Sequence, residues 1–389
     1  MMDYSKVLNP AVCEIKPSGI RKFFDIAATM NDVISLGVGE PDFETPWKIR
    51  KAGISSLERG KTKYTSNSGL IALRKEISNY LYRKCNVSYE PESEILISVG
   101  GSEAIDAAIR AVVSAKDEVI IPEPSYVCYE PITTLAGGVP VVIETKAEDD
   151  FKLTKKQLLS AITDKTKALI LPYPCNPTGA IMEKEDLEEI ASVLRDKNIL
   201  VISDEIYAEL TFGGKKHVSI ASIEGMKDKT VIVNGFSKTF SMTGWRLGYA
   251  AGPKEIIKQM TKIHQFAIMC APTTSQYAAV EALKNCEEDV LSMLKEYDRR
   301  RKLMVSTFNE IGLTCREPKG AFYAFPSISS SGLSSDEFCE RLLKEKHVAL
   351  VPGTAFGKGG EGFIRASYCY SPEHIIEALK RTKEFLDTL

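Results

Sequence analysis

Nowhere does this chain carry 18 uninterrupted apolar residues, and its start, MMDYSKVLNP, lacks the apolar core of a secretory leader. A membrane-spanning helix and an exported protein are both disfavoured. The nine cysteines, scattered from Cys13 to Cys369, are odd in number and contain no CxxC pair. That argues against a disulfide framework or a structural zinc site, and for reduced thiols in the cytoplasm. There are only four histidines, His217, His264, His347 and His374, and they show no metal-ligand spacing, so no metal is expected. Charge of one sign is missing too: 50 basic against 52 acidic residues leave a formal charge of -2. Such a balance gives no support for a nucleic-acid or anionic-membrane partner. What remains is ordinary for a soluble globular protein, 44% hydrophobic and 26% charged over 389 residues. That length allows two to three domains, or one large domain with a smaller satellite.

Two nucleotide-binding signals fail on inspection. GVGEPD lacks the last glycine of the dinucleotide fingerprint, and Pro41 obstructs the helix that glycine should open. The GKT ending at Thr62 needs a glycine five positions before Gly60, where the chain has Ser55.

Order emerges from the hydrophobic pattern. Proline and serine at 17–18, then IRKFFDIAATM with Ile20, Phe23, Phe24 and Ala27 at helical spacing, read as a capped helix. Helical patterns follow over 47–58, 70–84, 102–113 and from about 126 to 135. Between them and beyond, ILISVG, EVIIP, VPVVIET, KALILPY, ILVISDE and TVIVNG read as strands. Strands alternating with helices imply an α/β layer architecture with a mostly parallel sheet. Ligands then bind at the carboxyl ends of the strands. A long helix near 288–311 connects to a smaller α+β unit holding GAFYAFP, VALVPG and GFIRASY.

Each chemical motif falls at a strand end. In SKTFSMTGWRLGY, residues 237–249, Lys238 occupies a turn between two apolar runs, and Arg246 opens the second. A buried ammonium is costly unless paired or neutralised. An imine to an aldehyde cofactor neutralises it, and a nearby guanidinium suits that cofactor's phosphate. A salt-bridged lysine at a strand end is the plainer alternative. Gly100, Gly101 and Ser102 end a strand and open a helix, where exposed N–H groups favour a phosphate; a simple N-cap is the alternative. Tyr126 suits either a core position or the face of a ring. CNPTG is turn chemistry, yet Asn176 in it can donate to a phenolate-type oxygen. In SDEIY, Asp204 ends a buried strand and needs a partner such as a protonated pyridine nitrogen. Tyr207, three residues on, reaches the oxygen that Asn176 does. Arg365, inside the apolar run FIRASY, is suited to a substrate carboxylate.

Taken in this order, the motifs resemble the class I/II aminotransferases, the pyridoxal-phosphate enzymes of the aspartate aminotransferase fold. The likeness runs from SGIRKF and LGVGEPDF to FIRASY, nearly the whole chain. It implies fold type I: a large domain with a mostly parallel seven-stranded sheet between helices, and a smaller α+β domain. The implied boundaries are an arm at 1–45, a cofactor-binding domain at 46–285 and a small domain at 286–389. Carried over by motif, Lys238 is the Schiff-base lysine, Asp204 pairs with the pyridine nitrogen, and Asn176 and Tyr207 bind the ring hydroxyl. Tyr126 stacks on the ring, while Gly101, Ser102 and Glu103, with Ser237 and Arg246, hold the phosphate. Tyr64, in KYTSNSG, matches a tyrosine that reaches the neighbouring subunit's phosphate, which implies a homodimer. Gly39 lies beside the substrate and Arg365 binds its α-carboxylate. Gly235 departs from the many relatives that carry a phosphate-binding serine there.

The implied reaction moves an amino group from an L-amino acid to a 2-oxo acid, most often 2-oxoglutarate, by a ping-pong mechanism. LNPAVCEIKPSGIRKF, ALILPYPCNPTG and TKIHQF are similar to bacterial aromatic-amino-acid and N-acetyl-LL-diaminopimelate aminotransferases. Ser102 stands where some dicarboxylate-specific relatives carry a second basic residue, which argues against a strict aspartate enzyme. A pyridoxal-phosphate-dependent C–S lyase of the same fold would keep every cofactor residue. A transcription regulator using this fold would need a DNA-binding module ahead of the arm, and the arm is reached within about 20 residues.

Overall fold

The computed structural model describes residues 2–17, 19 and 30–389. The expected N-terminal helix bearing Ile20, Phe23, Phe24 and Ala27 lies outside the described residues. The first strand described, β1 (Ile34–Ser35), is short and pairs with the C-terminal part of the molecule.

Seven strands build the main sheet: β2 (Ile95–Ser98), β3 (Glu118–Glu123), β4 (Val139–Glu144), β5 (Thr166–Leu171), β6 (Leu200–Asp204), β7 (Thr230–Gly235) and β8 (Gly248–Ala251). Their order is β2-β8-β7-β6-β5-β3-β4. The central strands are continuous apolar runs because helices cover both faces. Leu169, Ile170, Val201, Ile202, Val231 and Ile232 are all fully buried. Burying each such side chain contributes about 2 kcal/mol, and a charge at Val231 would reverse that gain. Register is tight across the centre, with Leu169 opposite Val201 and Ile202 opposite Val231.

One strand runs against the rest: β8 is antiparallel to both β2 and β7. The other six share one direction, so their carboxyl ends lie along one edge. Because β8 is reversed, the residue just before its start reaches that same edge. That residue's neighbour in sequence is Arg246.

Two helix starts matter for the site. The helix Gly101–Val112 begins one residue earlier than the pattern suggests, and buries Ala104, Ile105, Ala107, Ala108 and Ile109 on one face. The helix Tyr129–Leu135 begins three residues later than expected. Pro131 explains the delay, since a proline is tolerated only in a first turn and would break a helix begun at Tyr126. Tyr126 is thereby left in a turn, free to face the sheet edge.

The long helix Glu287–Glu310 buries Val290, Met293, Tyr297, Met304 and Phe308 as one stripe. Beyond it, β9 (Tyr323–Ala324), β11 (Val351–Pro352) and β12 (Ile364–Ser367) form an antiparallel sheet in the order β11-β12-β9. β1 pairs in parallel with β10 (Val348–Ala349), and the Ser367 N–H donates to Leu36 O at 2.7 Å. Arg300 in the long helix donates to both carboxylate oxygens of Asp42, at 2.8 and 2.9 Å. These bonds bring residues 34–42 to the sheet edge. Among the described residues no helix is long and apolar enough to cross a membrane, and no cluster of side chains could hold a metal ion.

Candidate active site

A cavity of about 300 Å³ opens at the carboxyl edge of the main sheet. Gly39, Gly101, Ser102, Tyr126, Asn176, Asp204, Tyr207, Ser237, Lys238, Arg246 and Arg365 all line it. They come from the ends of β2, β3, β5, β6 and β7, the start of β8, the arm and β12. Two residues expected at the site do not line it. Tyr64, expected to reach the neighbouring subunit's site, is 82% exposed. Glu103 is turned inward: its carboxylate accepts the Val99 N–H at 2.5 Å and meets His264 Nδ1 at 2.6 Å. The third residue of a helix points its side chain back over the helix start, which leaves the expected phosphate contact of Glu103 to its backbone N–H.

At the floor, Asp204 ends β6 almost wholly buried. Its two oxygens accept from Tyr129 Oη at 2.7 Å and the Ile206 N–H at 3.1 Å. Burial pushes its carboxyl up to about 6, against those two donors. Tyr129 was missed in the sequence because nothing local distinguishes it from a core aromatic. Its ring packs edge-on to Tyr126.

Lys238 follows β7 and is half-buried, its Nζ donating to Gly39 O at 2.6 Å. Burial pushes its amine below the ordinary lysine range, and Arg365 and Arg246 push the same way. An amine so placed loses its proton more readily than a surface lysine.

Arg365 lies in β12, 3% exposed, between the faces of Tyr323 at 4.4 Å and Phe356 at 4.6 Å. Its Nη1 donates to Asn176 Oδ1 at 2.8 Å and its Nη2 to Gly37 O. Its Nε is buried without a partner among the described residues, an arrangement that a carboxylate would complete. The Asn176 oxygen is thus occupied and its amide N–H₂ is left to donate elsewhere. Tyr207 Oη shares a 2.9 Å hydrogen bond with Tyr323 Oη. Tyr323 is the second aromatic the sequence did not reveal. A Cβ on Gly39 would stand 1.9 Å from the Tyr323 hydroxyl, so only glycine fits beside it.

On the opposite wall, Gly100 at φ +82° precedes the helix Gly101–Val112. A Cβ there would meet Arg246 Nη2 at 2.9 Å, so the guanidinium rests against the turn. Ser102 and Arg246 are exposed at the rim in the single chain. A Cβ at Gly235 would stand 2.9 Å from Ile206 Cδ1, so Ile206 fills the space a serine side chain would enter.

The donor set fits pyridoxal phosphate. Three cationic side chains, Lys238, Arg246 and Arg365, line the cavity against one carboxylate, Asp204. A phosphate, a ring nitrogen and a substrate carboxylate together balance that pattern. The fold, a seven-stranded α/β sheet with its site at a strand edge and a small domain beside it, is that of the aspartate aminotransferases. The family model for aminotransferase class I and II matches residues 31–381, and the chain belongs to that family. It is 55% identical to a putative aminotransferase of Bacillus subtilis, with 97% of this chain and 98% of the relative covered. It is 48% identical to an aspartate aminotransferase of Pyrococcus abyssi, with 96% of each covered. The crystal structure of an aromatic aminotransferase from Pyrococcus horikoshii superimposes with a TM-score of 0.90 at 45% identity, covering 95% of this chain and 99% of that one.

Proposed function

We propose that the chain is a pyridoxal-phosphate-dependent aminotransferase that passes the amino group of an L-amino acid to a 2-oxo acid by a ping-pong mechanism. The observation that carries this reading is one cavity holding a depressed lysine amine, a buried carboxylate and two further cations. Bound there, pyridoxal phosphate supplies an aldehyde for an amine to join and a ring that takes up electrons. Asp204 would pair with the ring nitrogen and keep it protonated. Asn176 and Tyr207 would donate to the ring oxygen, and Tyr126 would pack against the ring. Gly101, Ser102, Ser237 and Arg246 would hold the phosphate. Arg365 would bind the α-carboxylate of the incoming amino acid beside Gly39. The Lys238 amine would take up and give back the α-proton, acting as base and acid in turn.

The donor is an aromatic amino acid, a broader set, or N-acetyl-LL-diaminopimelate, and the acceptor is 2-oxoglutarate. The same reading divides the chain into an arm at 1–45, a cofactor domain at 46–285 and a small domain at 286–389. It also makes the working form a homodimer. Tyr64 and Phe266 are 82% and 86% exposed, and the loop that carries Tyr64 adjoins the residues just after the helix that carries Phe266 through Asn67 Nδ2 and Met269 O at 2.9 Å. A second copy covering this patch would bring Tyr64 to the exposed rim at Ser102 and Arg246. The nine free cysteines suit the cytoplasm.

The test is to mix the cofactor-loaded protein with single amino acids: glutamate, aspartate, phenylalanine, tyrosine and N-acetyl-LL-diaminopimelate. Conversion of the cofactor from its aldehyde to its amine form, reversed by a 2-oxo acid, is expected, and the rates rank the donors. Pyruvate and ammonia without that conversion would identify a lyase instead.

A further inference from the structure

One polar pair lies directly behind the rim of the cavity without facing into it. Gly100, the residue before the helix Gly101–Val112, offers no side chain to cap that helix. The task falls to Glu103. Its Oε2 accepts the Val99 N–H at 2.5 Å, one residue further back than a usual capping box reaches. The N–H groups of Gly101 and Ser102, unpaired at any helix start, stay available for a ligand. The other carboxylate oxygen, Oε1, lies 2.6 Å from Nδ1 of His264. With the carboxylate oxygen as acceptor, Nδ1 is the donor.

His264 stands in the last turn of the helix Lys254–Ala267 and is fully buried. Its Nε2 has no partner among the described residues. An imidazole buried for a single hydrogen bond stabilises the fold little by itself. The bond it does make fixes the carboxylate that fixes the turn. Gly100 is in turn pressed against Arg246, where a Cβ would approach Nη2 to 2.9 Å. A shift of the turn therefore moves both halves of the rim.

We propose that Glu103 and His264 are positioning residues for the phosphate cup. They hold the Val99 and Gly100 turn so that the Gly101 and Ser102 N–H groups and the Arg246 guanidinium converge on one anion. This rests on the reading of that rim as the cofactor's phosphate site.

The experiment measures binding rather than turnover. Cofactor-free wild type, Glu103→Ala, His264→Leu and His264→Asn are titrated with pyridoxal phosphate and with pyridoxal, which lacks the phosphate, following absorbance or dialysis. Thermal melting of each cofactor-free protein is recorded alongside. Wild type should prefer the phosphorylated form strongly. Glu103→Ala and His264→Leu should bind pyridoxal phosphate about tenfold to a hundredfold more weakly, as expected for losing a charge-assisted hydrogen bond, with pyridoxal within about twofold. His264→Asn, whose amide nitrogen reaches the place of Nδ1, should restore most of the preference. Folded variants that keep the wild-type preference would overturn the proposal, as would equal weakening of both ligands. Should Glu103→Ala fail to fold, the two His264 variants carry the comparison. A wild type without preference for the phosphate would instead overturn the reading of the cup itself.

Discussion

Replacing Asp204 by asparagine should stabilise the cofactor-free protein at neutral pH and weaken the loaded one. The carboxyl is pushed by burial from 3.8 to about 6. A displacement of about two pH units corresponds to about 3 kcal/mol. Because the folded-state value is the higher one, this stabilising contribution is fully present below the unfolded value. It is lost as pH rises through about 6. At about pH 7.5 the ionised side chain therefore costs the empty site about 3 kcal/mol relative to acid. Asparagine carries no such cost, but its single oxygen cannot serve both Tyr129 Oη and the Ile206 N–H, a loss of about 1 kcal/mol. The variant should thus be more stable by about 2 kcal/mol at neutral pH, and the gap should shrink by about 2 kcal/mol towards pH 4.5. With cofactor bound the order should reverse, since removing one partner of a buried ion pair with the ring nitrogen costs about 4 kcal/mol, more than that gain. Denaturant melts of the empty and loaded forms across this range measure both. A stability gap that ignores pH, or a loaded variant more stable than wild type, would refute the reasoning.

Lys238→Ala should show no steady turnover, and turnover without an added amine would count against the assignment of Lys238. Arg365→Leu should lower kcat/KM for amino acids about a hundredfold, mostly through KM, because the guanidinium no longer meets a carboxylate; steady-state kinetics on a variant with a normal melting profile would check this. Tyr323→Phe breaks the 2.9 Å bond to Tyr207 but keeps the ring under Arg365, so kcat should fall about fivefold with little change in KM. Gly39→Ala should lose activity far more severely, since its Cβ would fall 1.9 Å from the Tyr323 hydroxyl, and the crystal structure of the variant should show Tyr323 displaced.

The sheet was legible because six of its seven strands are short apolar runs holding β-branched residues, and the motifs follow them. Asp204 was readable for the same reason: a polar side chain closing a buried apolar strand is costly unless a partner or a ligand meets it. The reversal of β8 was not readable, since GYAA alternates no differently from a parallel strand, yet it is the reversal that returns Arg246 to the site. Tyr129 and Tyr323 were hidden because an aromatic in an apolar context reads as core until the fold brings a carboxylate or a second hydroxyl to it. The role of the Glu103 carboxylate was not readable either, because only the fold brings His264 beside it while helix geometry turns it onto Val99.

The central claim is that Lys238 carries an aldehyde cofactor. Reducing the loaded protein with borohydride, digesting it and mapping the modified peptide tests this most directly. The account predicts a pyridoxyl group on Lys238 and on no other lysine. A stable adduct at a different lysine, or none in a protein that has bound the cofactor, would contradict it.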